Sequence, residues 1–176
     1  MYARLTVLLL AGALTPIVAS EAPAEEYRVK GAFLLNFAKF VEWPPQAFKK
    51  PGDPIVICIL GVNPFTPALD LAARQLAVES RGVVVKQIPD AQLASQCHIV
   101  FVGVSERKHV RAVLDAVQKE SVLTVGESEG FVASGGVIEF SVEESKVRME
   151  ISAEAAKRAG LHISAKLLSL AQSGRK

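Results

Sequence analysis

The sequence predicts an α/β fold: a three-layer sandwich with a mostly parallel central sheet, extended by a C-terminal antiparallel hairpin. Two patterns carry that prediction. "PIVICIL" (54–60) and "HIVFVGV" (98–104) are nearly continuous apolar runs rich in β-branched residues, as expected of strands buried on both faces. "GVIEFSVEESKVRMEIS" alternates instead, with Ile138, Phe140 and Val142 against Glu139, Ser141 and Glu143, then Val147, Met149 and Ile151 against Lys146, Arg148 and Glu150. That is a hairpin with one wet face.

Taken in order, the chain opens with "MYARLTVLLLAGALTPIVAS". Arg4, an apolar run over 5–14 and small residues at Val18 and Ser20 form a signal-peptide pattern over 1–20, with cleavage after Ser20 or as late as Ala24. The run is much shorter than the roughly 20 residues of a membrane span. The remainder, 25–176, reads as one exported α/β domain without linker or repeat. A helix is expected over 25–43, with Phe33, Phe37, Phe40 and Val41 on one face, Arg28, Asn36, Lys39 and Glu42 opposite, and Pro44 and Pro45 ending it. The stripe reads as core. Trp43, rotated away from it at the helix end, reads as an exposed contact aromatic, and the polar face lacks the Lys/Arg richness of a membrane-surface helix.

The sheet follows as β-α-β-β-α-β, with helices at 67–78 and 106–118 and further strands at 82–88 and 122–128. At the C-terminus Lys157 and Arg158 precede Gly160 and Leu161, which resembles a glycine C-cap between helices at 152–159 and 164–172. One continuous helix is the alternative.

Composition excludes several functions. The chain has 20 Lys and Arg against 18 Asp and Glu, and removing 1–20 deletes only Arg4, leaving 19 against 18. Such a balance gives nucleic acid no electrostatic footprint. The two cysteines, Cys58 and Cys97, favour a disulfide in an exported chain, with two buried free thiols as the alternative. Cys58 sits mid-strand and Cys97 at the start of a neighbouring one, so register could hold their Cα atoms beyond the ~7 Å limit for a bridge.

No dinucleotide, P-loop or nucleophile-elbow motif is present, and His98, His109 and His162 have no metal-ligand spacing. The reading is therefore a non-enzyme with neither cofactor nor metal. Open parallel sheets bind ligands beyond their strand C-termini. Asn63, Ser105 and Glu127 fall there and are the candidate small-ligand crevice, although Gly, Asn and Pro also simply make turns.

"EYRVKGAFLLNFAKFVEWP", "ICILGVNPF", "CHIVFVGVSE", "VLTVGESEGFVASGGVIEF", "VRMEIS" and "AGLHISAKLLSLA" together resemble the YfiR-like family of exported bacterial proteins. The resemblance implies a periplasmic regulator that binds and represses the periplasmic sensor domain of an inner-membrane diguanylate cyclase, or a related sensor kinase, controlling cyclic-di-GMP and biofilm formation. It also implies an outer-membrane lipoprotein as a relieving partner. Cys58 and Cys97 match a cysteine pair of that family, but the second pair found in well-known members has no counterpart after Cys97. A second copy of the chain is a further candidate partner. Candidate contact residues are Glu42 and Trp43 at the helix end, and Glu139 and Arg148 on the wet face of the hairpin.

Overall fold

The computed structural model describes residues 21–65 and 67–173, so the signal peptide expected at 1–20 lies outside it. Its elements are α1 (Glu21–Phe40), β1 (Val41–Glu42), β2 (Ile55–Leu60), α2 (Pro67–Arg74), β3 (Ala77–Val78), β4 (Arg81–Ile88), β5 (Ile99–Val102), α3 (Val110–Ala116), β6 (Leu123–Gly126), β7 (Ile138–Glu143), β8 (Lys146–Ile151), α4 (Ala153–Arg158), β9 (His162–Ile163) and α5 (Ala165–Ser173). Short 3-10 turns at Pro45–Ala47, Ala91–Gln96 and Val104–His109 join them.

Seven strands form one curled sheet in the order β3-β4-β2-β5-β6-β7-β8. Strands β4, β2, β5, β6 and β7 run parallel, and each edge is closed by an antiparallel neighbour, β3 on β4 and β8 on β7. The mostly parallel sheet extended by a C-terminal hairpin is thus observed.

The strands' apolar runs explain the layers. Successive side chains of a strand face opposite ways, so Ile55, Ile57, Ile59, Ile99 and Phe101 join one core with Leu34 and Phe37 of α1, Leu69 of α2, Ala155 of α4 and Leu167 of α5. Cys58, Leu60, Val100 and Val102 join the other core, with Ala94 of the 3-10 turn, Val113 of α3 and Phe131. A strand clothed on both faces needs an unbroken apolar run. The hairpin alternates because Ile138, Phe140 and Met149 are buried on the core face while much of the other face is wet; Val142, expected on the covered face, lies beyond the core and is exposed.

Three helix boundaries differ from expectation, the first because of a pairing with a strand distant in the chain. The first helix stops at Phe40, and Val41–Glu42 instead pair with Ile163 and His162 as a two-stranded ribbon. Pro44 disfavours helical backbone just before it, and the extended form lets Val41 and Ile163 both be buried. The second helix stops at Arg74, because Ala77–Val78 turn back onto β4. The turn is made by Glu79 and Ser80, both at positive φ (50° and 69°), and Glu144–Ser145 repeat the device between β7 and β8 (49° and 60°). Both positions of such a turn usually take Asn or Gly, so Glu-Ser gave no turn signal. The third, over 106–118, begins as a 3-10 turn before α3.

The C-terminal segment forms two helices. Gly160 (φ 69°) turns the chain: its N–H donates to the Lys157 carbonyl, and the Leu161 N–H reaches back to Ala156. Only glycine adopts that backbone without steric cost.

Cys58 and Cys97 are joined, with Cα atoms 5.9 Å apart. Cys58 is the ladder partner of Val100, not of Cys97. The bridge closes because Cys97 lies outside the strand, capping the 3-10 turn Ala91–Gln96 that folds over this face of the sheet.

Candidate functional site

The parallel strands present two ends, and the side chains gathered at each differ in kind. At the C-terminal end, β6 finishes in Gly126 and delivers Glu127 under α1. Glu127 Oε1 accepts from the Tyr27 hydroxyl (3.0 Å) and from the Val104 N–H (2.8 Å), and its Oε2 accepts from Lys30 Nζ. Lys30 also pairs with Glu26 and lies 4.8 Å from the Tyr27 ring centroid. The Lys30 and Glu127 side chains are only 3% and 5% exposed.

This is a buried ion pair whose acceptor oxygens are matched by donors, the condition under which such a pair is tolerated. Burial, and then the charge of Glu127, push the Tyr27 hydroxyl well above its ordinary pKa. It therefore stays a donor. The assembly fastens α1 to the ends of β5 and β6.

Of the three crevice candidates, Ser105 and Glu127 both flank Gly103, whereas Asn63 accepts from the Phe65 N–H (2.9 Å) inside its own turn. Between β2 and β5, where strand order reverses, the side chain of Glu106 packs against Gly61, where a Cβ would meet its Oε1 at 2.2 Å. The switch point is filled. A cavity of about 430 Å³ opens one strand over, lined by Val104, Arg107, Val110, Glu127, Ser128 and Phe131 among others. Phe131 is wedged between Gly126 and Gly136, at either of which a Cβ would stand within 2.3 Å of its ring. Glycine is required at both.

Glu139 holds that loop. Its two oxygens accept from the N–H groups of Gly130 (3.2 Å) and Val132 (3.0 Å), so it is half-buried and committed within the chain rather than displayed on a wet face. Arg148 is half-buried too, with its Nε turned from solvent and without a hydrogen-bond partner among the described residues.

The N-terminal end of the sheet is closed by rings. His98 stacks on Phe48 (4.6 Å between centroids) and meets Trp43 edge-on (6.1 Å). Arg81 lies 3.8 Å over the other partner, Phe48, and donates to the Asp53 carbonyl. Trp43 Nε1 donates to the His98 carbonyl at 3.3 Å, and the Val56 N–H donates to His98 Nδ1 at 3.1 Å. Burial, reinforced by Arg81 and opposed by the Ala47 carbonyl and Asp53, holds the imidazole below its ordinary pKa.

Trp43 is consequently half-buried and engaged, not the exposed end of a helix. Its neighbour Glu42 is exposed, 3.4 Å from His162 across the β1–β9 ribbon. The structure therefore does not bring the four contact candidates onto one surface of free side chains. Lys30 and Tyr27 went unrecognised in the sequence, although Lys30 stands four residues before Leu34 and seven before Phe37, on the buried stripe. A lysine there requires a carboxylate.

Among the described residues, no group of three or more His, Cys, Asp or Glu could hold a metal ion, and no helix is long and apolar enough to cross a membrane. The fold and its strand-end groups define an α/β protein whose polar side chains at both sheet ends fasten its own elements together. The YfiR/HmsC-like family model (DUF4154) matches residues 27–172, and the chain belongs to that family. Membership implies a periplasmic regulator of diguanylate cyclase signalling, and members of the family are regulatory proteins. None of the curated proteins matches the sequence. A solved conserved domain protein from Vibrio cholerae is similar at a TM-score of 0.49 and 12% identity, over 66% of this chain and 53% of that one. The present chain thus spans about half of that protein.

Proposed function

We propose that this protein acts in the periplasm by contact, binding the periplasmic sensor domain of an inner-membrane diguanylate cyclase or related sensor and holding down cyclic-di-GMP synthesis. Family membership across residues 27–172 carries this reading. The strand-end geometry supports it, since Glu127, the buried acid of the crevice, is fully engaged by Tyr27, Lys30 and Val104. Such a group anchors a helix and is not poised for proton transfer.

Repression requires tighter binding to one conformation of the sensor, with a coupling of about 1 to 3 kcal/mol. Glu42 is the contact candidate best placed for it, being exposed at the ribbon that leads out of α1. An outer-membrane lipoprotein that competes for the same protein is the matching relief mechanism. The test is stoichiometric capture of a sensor domain together with cellular cyclic-di-GMP in a deletion strain. The level should rise on deletion; an unchanged level with no sensor domain captured overturns the proposal.

The cavity of about 430 Å³ beside Arg107 and Glu127 favours a second reading, a small-ligand-binding module. A melting shift with candidate periplasmic metabolites, absent in an Arg107→Ala variant, would support it.

A further inference from the structure

The N-terminal end of the sheet holds a titratable group in a setting that suits only its neutral form. His98, immediately before β5, is 8% exposed and accepts the Val56 N–H at Nδ1. The ring proton therefore sits on Nε2, which is buried and has no hydrogen-bond partner among the described residues. A second proton enters at Nδ1, where it sets one donor against another across 3.1 Å. It also brings a charge onto Phe48, whose ring already carries the Arg81 guanidinium. Of the charged groups that act on the imidazole, Arg81 of β4 opposes the proton and Asp53 favours it, as does the Ala47 carbonyl; with burial the balance is against the charged ring.

The packing decides what a charged ring displaces. On one side lies β5, held in the middle of the sheet between β2 and β6. On the other lies the segment 43–54, a loop with one 3-10 turn. Its hydrogen bonds close within itself, from the Phe48 N–H to Pro45, from the Asp53 N–H to Lys50, and from the Lys50 N–H to the Asp53 carboxylate. It meets His98 through Phe48, stacked on the ring, and through Trp43, edge-on to it. A second cavity of about 430 Å³ runs along this contact, lined by His98, Phe48, Lys49, Asp53, Lys86 and Glu120 among others. Two charges of each sign stand there, and the cavity gives water a route to the imidazole once Phe48 shifts.

We propose that His98 is an acid switch: on taking a proton it releases the segment 43–54 from the sheet end and carries Trp43 into water. A hydrated imidazolium replaces a stacked neutral ring, the trade by which histidine converts pH into movement of a packed element. The loop yields because the strand on the other side is paired along both edges. The segment continues directly from β1, so its release loosens the β1–β9 ribbon on which Glu42 stands. The consequence for signalling rests on the sensor-domain reading: acid weakens capture and relieves repression.

Trp43 is the chain's one tryptophan, so its fluorescence reports this segment. Between pH 7.5 and pH 4.5 the emission should move to the red in one reversible step below about 6.5. Acrylamide quenching should rise about twofold with it, while the far-UV circular dichroism stays constant. His98→Gln, whose amide oxygen can still accept the Val56 N–H, and His98→Phe, which keeps a ring on Phe48, should both hold the pH 7.5 emission throughout. Proton uptake by the His98 ring, followed by NMR, should share the Trp43 midpoint, and this decides the matter where a substitution prevents folding. The proposal is overturned by an emission that does not move, by a shift that appears only as secondary structure is lost, or by a shift that a folded His98 variant keeps. A His98 midpoint apart from that of Trp43 overturns it too. The experiment needs this protein alone, so its failure leaves the sensor-domain reading untouched, and failed capture of a sensor domain leaves the switch untouched.

Discussion

The two ends of the parallel sheet do the same mechanical job with opposite chemistry. At the C-terminal end a buried lysine and glutamate, with a tyrosine hydroxyl and a backbone N–H, fasten α1. At the N-terminal end a neutral histidine, stacked on Phe48 and met edge-on by Trp43, with Arg81 over the Phe48 ring, fastens the segment between β1 and β2. The first end is held by charges that must stay paired, the second by a ring that must stay uncharged. Each end is therefore vulnerable to a different perturbation, and the difference can be measured.

The largest effect is expected at the charged end. Lys30→Ala leaves Glu127 buried without its counter-ion, and breaking a buried pair by removing one partner costs about 3 to 5 kcal/mol. Chemical denaturation should show that loss, and the Lys30→Ala/Glu127→Ala double variant should cost clearly less than the sum of the singles. Additive losses would mean that the two side chains do not act as a pair.

Next comes the bridge near the neutral end. Cys58 and Cys97 close a loop of 39 residues in sequence separation, and replacing both by alanine should cost about 2 to 4 kcal/mol, chiefly by freeing the unfolded chain. Thiol labelling of the denatured, unreduced protein should find no free thiol. Third, Trp43→Ala should cost about 2 kcal/mol, below the ~3 to 5 kcal/mol of a fully buried aromatic, because the ring is half-exposed yet bonded to the His98 carbonyl. A melt identical to the parent protein would restore Trp43 as a free surface residue.

The smaller contrast is in pH. Burial depresses the His98 pKa in the folded state, so below about 6.5 the unfolded chain takes up this proton before the folded one does. His98 therefore contributes stability that is complete near neutral pH and is lost as pH falls through 6.5 toward the lower folded value. Protonation also turns Nδ1 from an acceptor of the Val56 N–H into a donor facing it. The urea midpoint should be lower at pH 5.5 than at pH 7.5, and His98→Gln should flatten that dependence.

These ends were unequally legible in the sequence. The strands 54–60 and 98–104 announced themselves because a strand clothed on both faces admits no polar residue, and the hairpin announced itself by alternation. Glu127 could be placed at a strand end, since strand ends follow from strands. Its partner could not, because Lys30 lies 97 residues away and only the fold chooses which carboxylate meets it. What could have been noticed is the lysine inside an apolar stripe. The helix overran for the same reason: residues 41–43 continue the helical period, and only the distant Ile163 reveals that Val41 is worth more in an extended pairing. The Cys58 register gave a false warning because Cys97 was read as part of a strand when it caps a turn.

The smallest stability effect, and the most informative for function, belongs to Glu42. It is exposed on the β1–β9 ribbon, its nearest charge is the equally exposed His162, and exposed pairs of this kind contribute little. Glu42→Ala should leave the melting temperature within error of the parent protein. Trp43, one residue on, is tied into the neutral sheet end, so a loss of partner capture in Trp43→Ala would be confounded by lost stability. Glu42→Ala is free of that confusion. If the ribbon contacts the sensor domain, this variant should bind it more weakly, with the deficit visible as faster dissociation and an unchanged melt. Parent-like capture would move the contact surface away from the ribbon while leaving both ends of the sheet intact, and the search would then turn to the wet face of β7, where Ser141 and Glu143 are exposed.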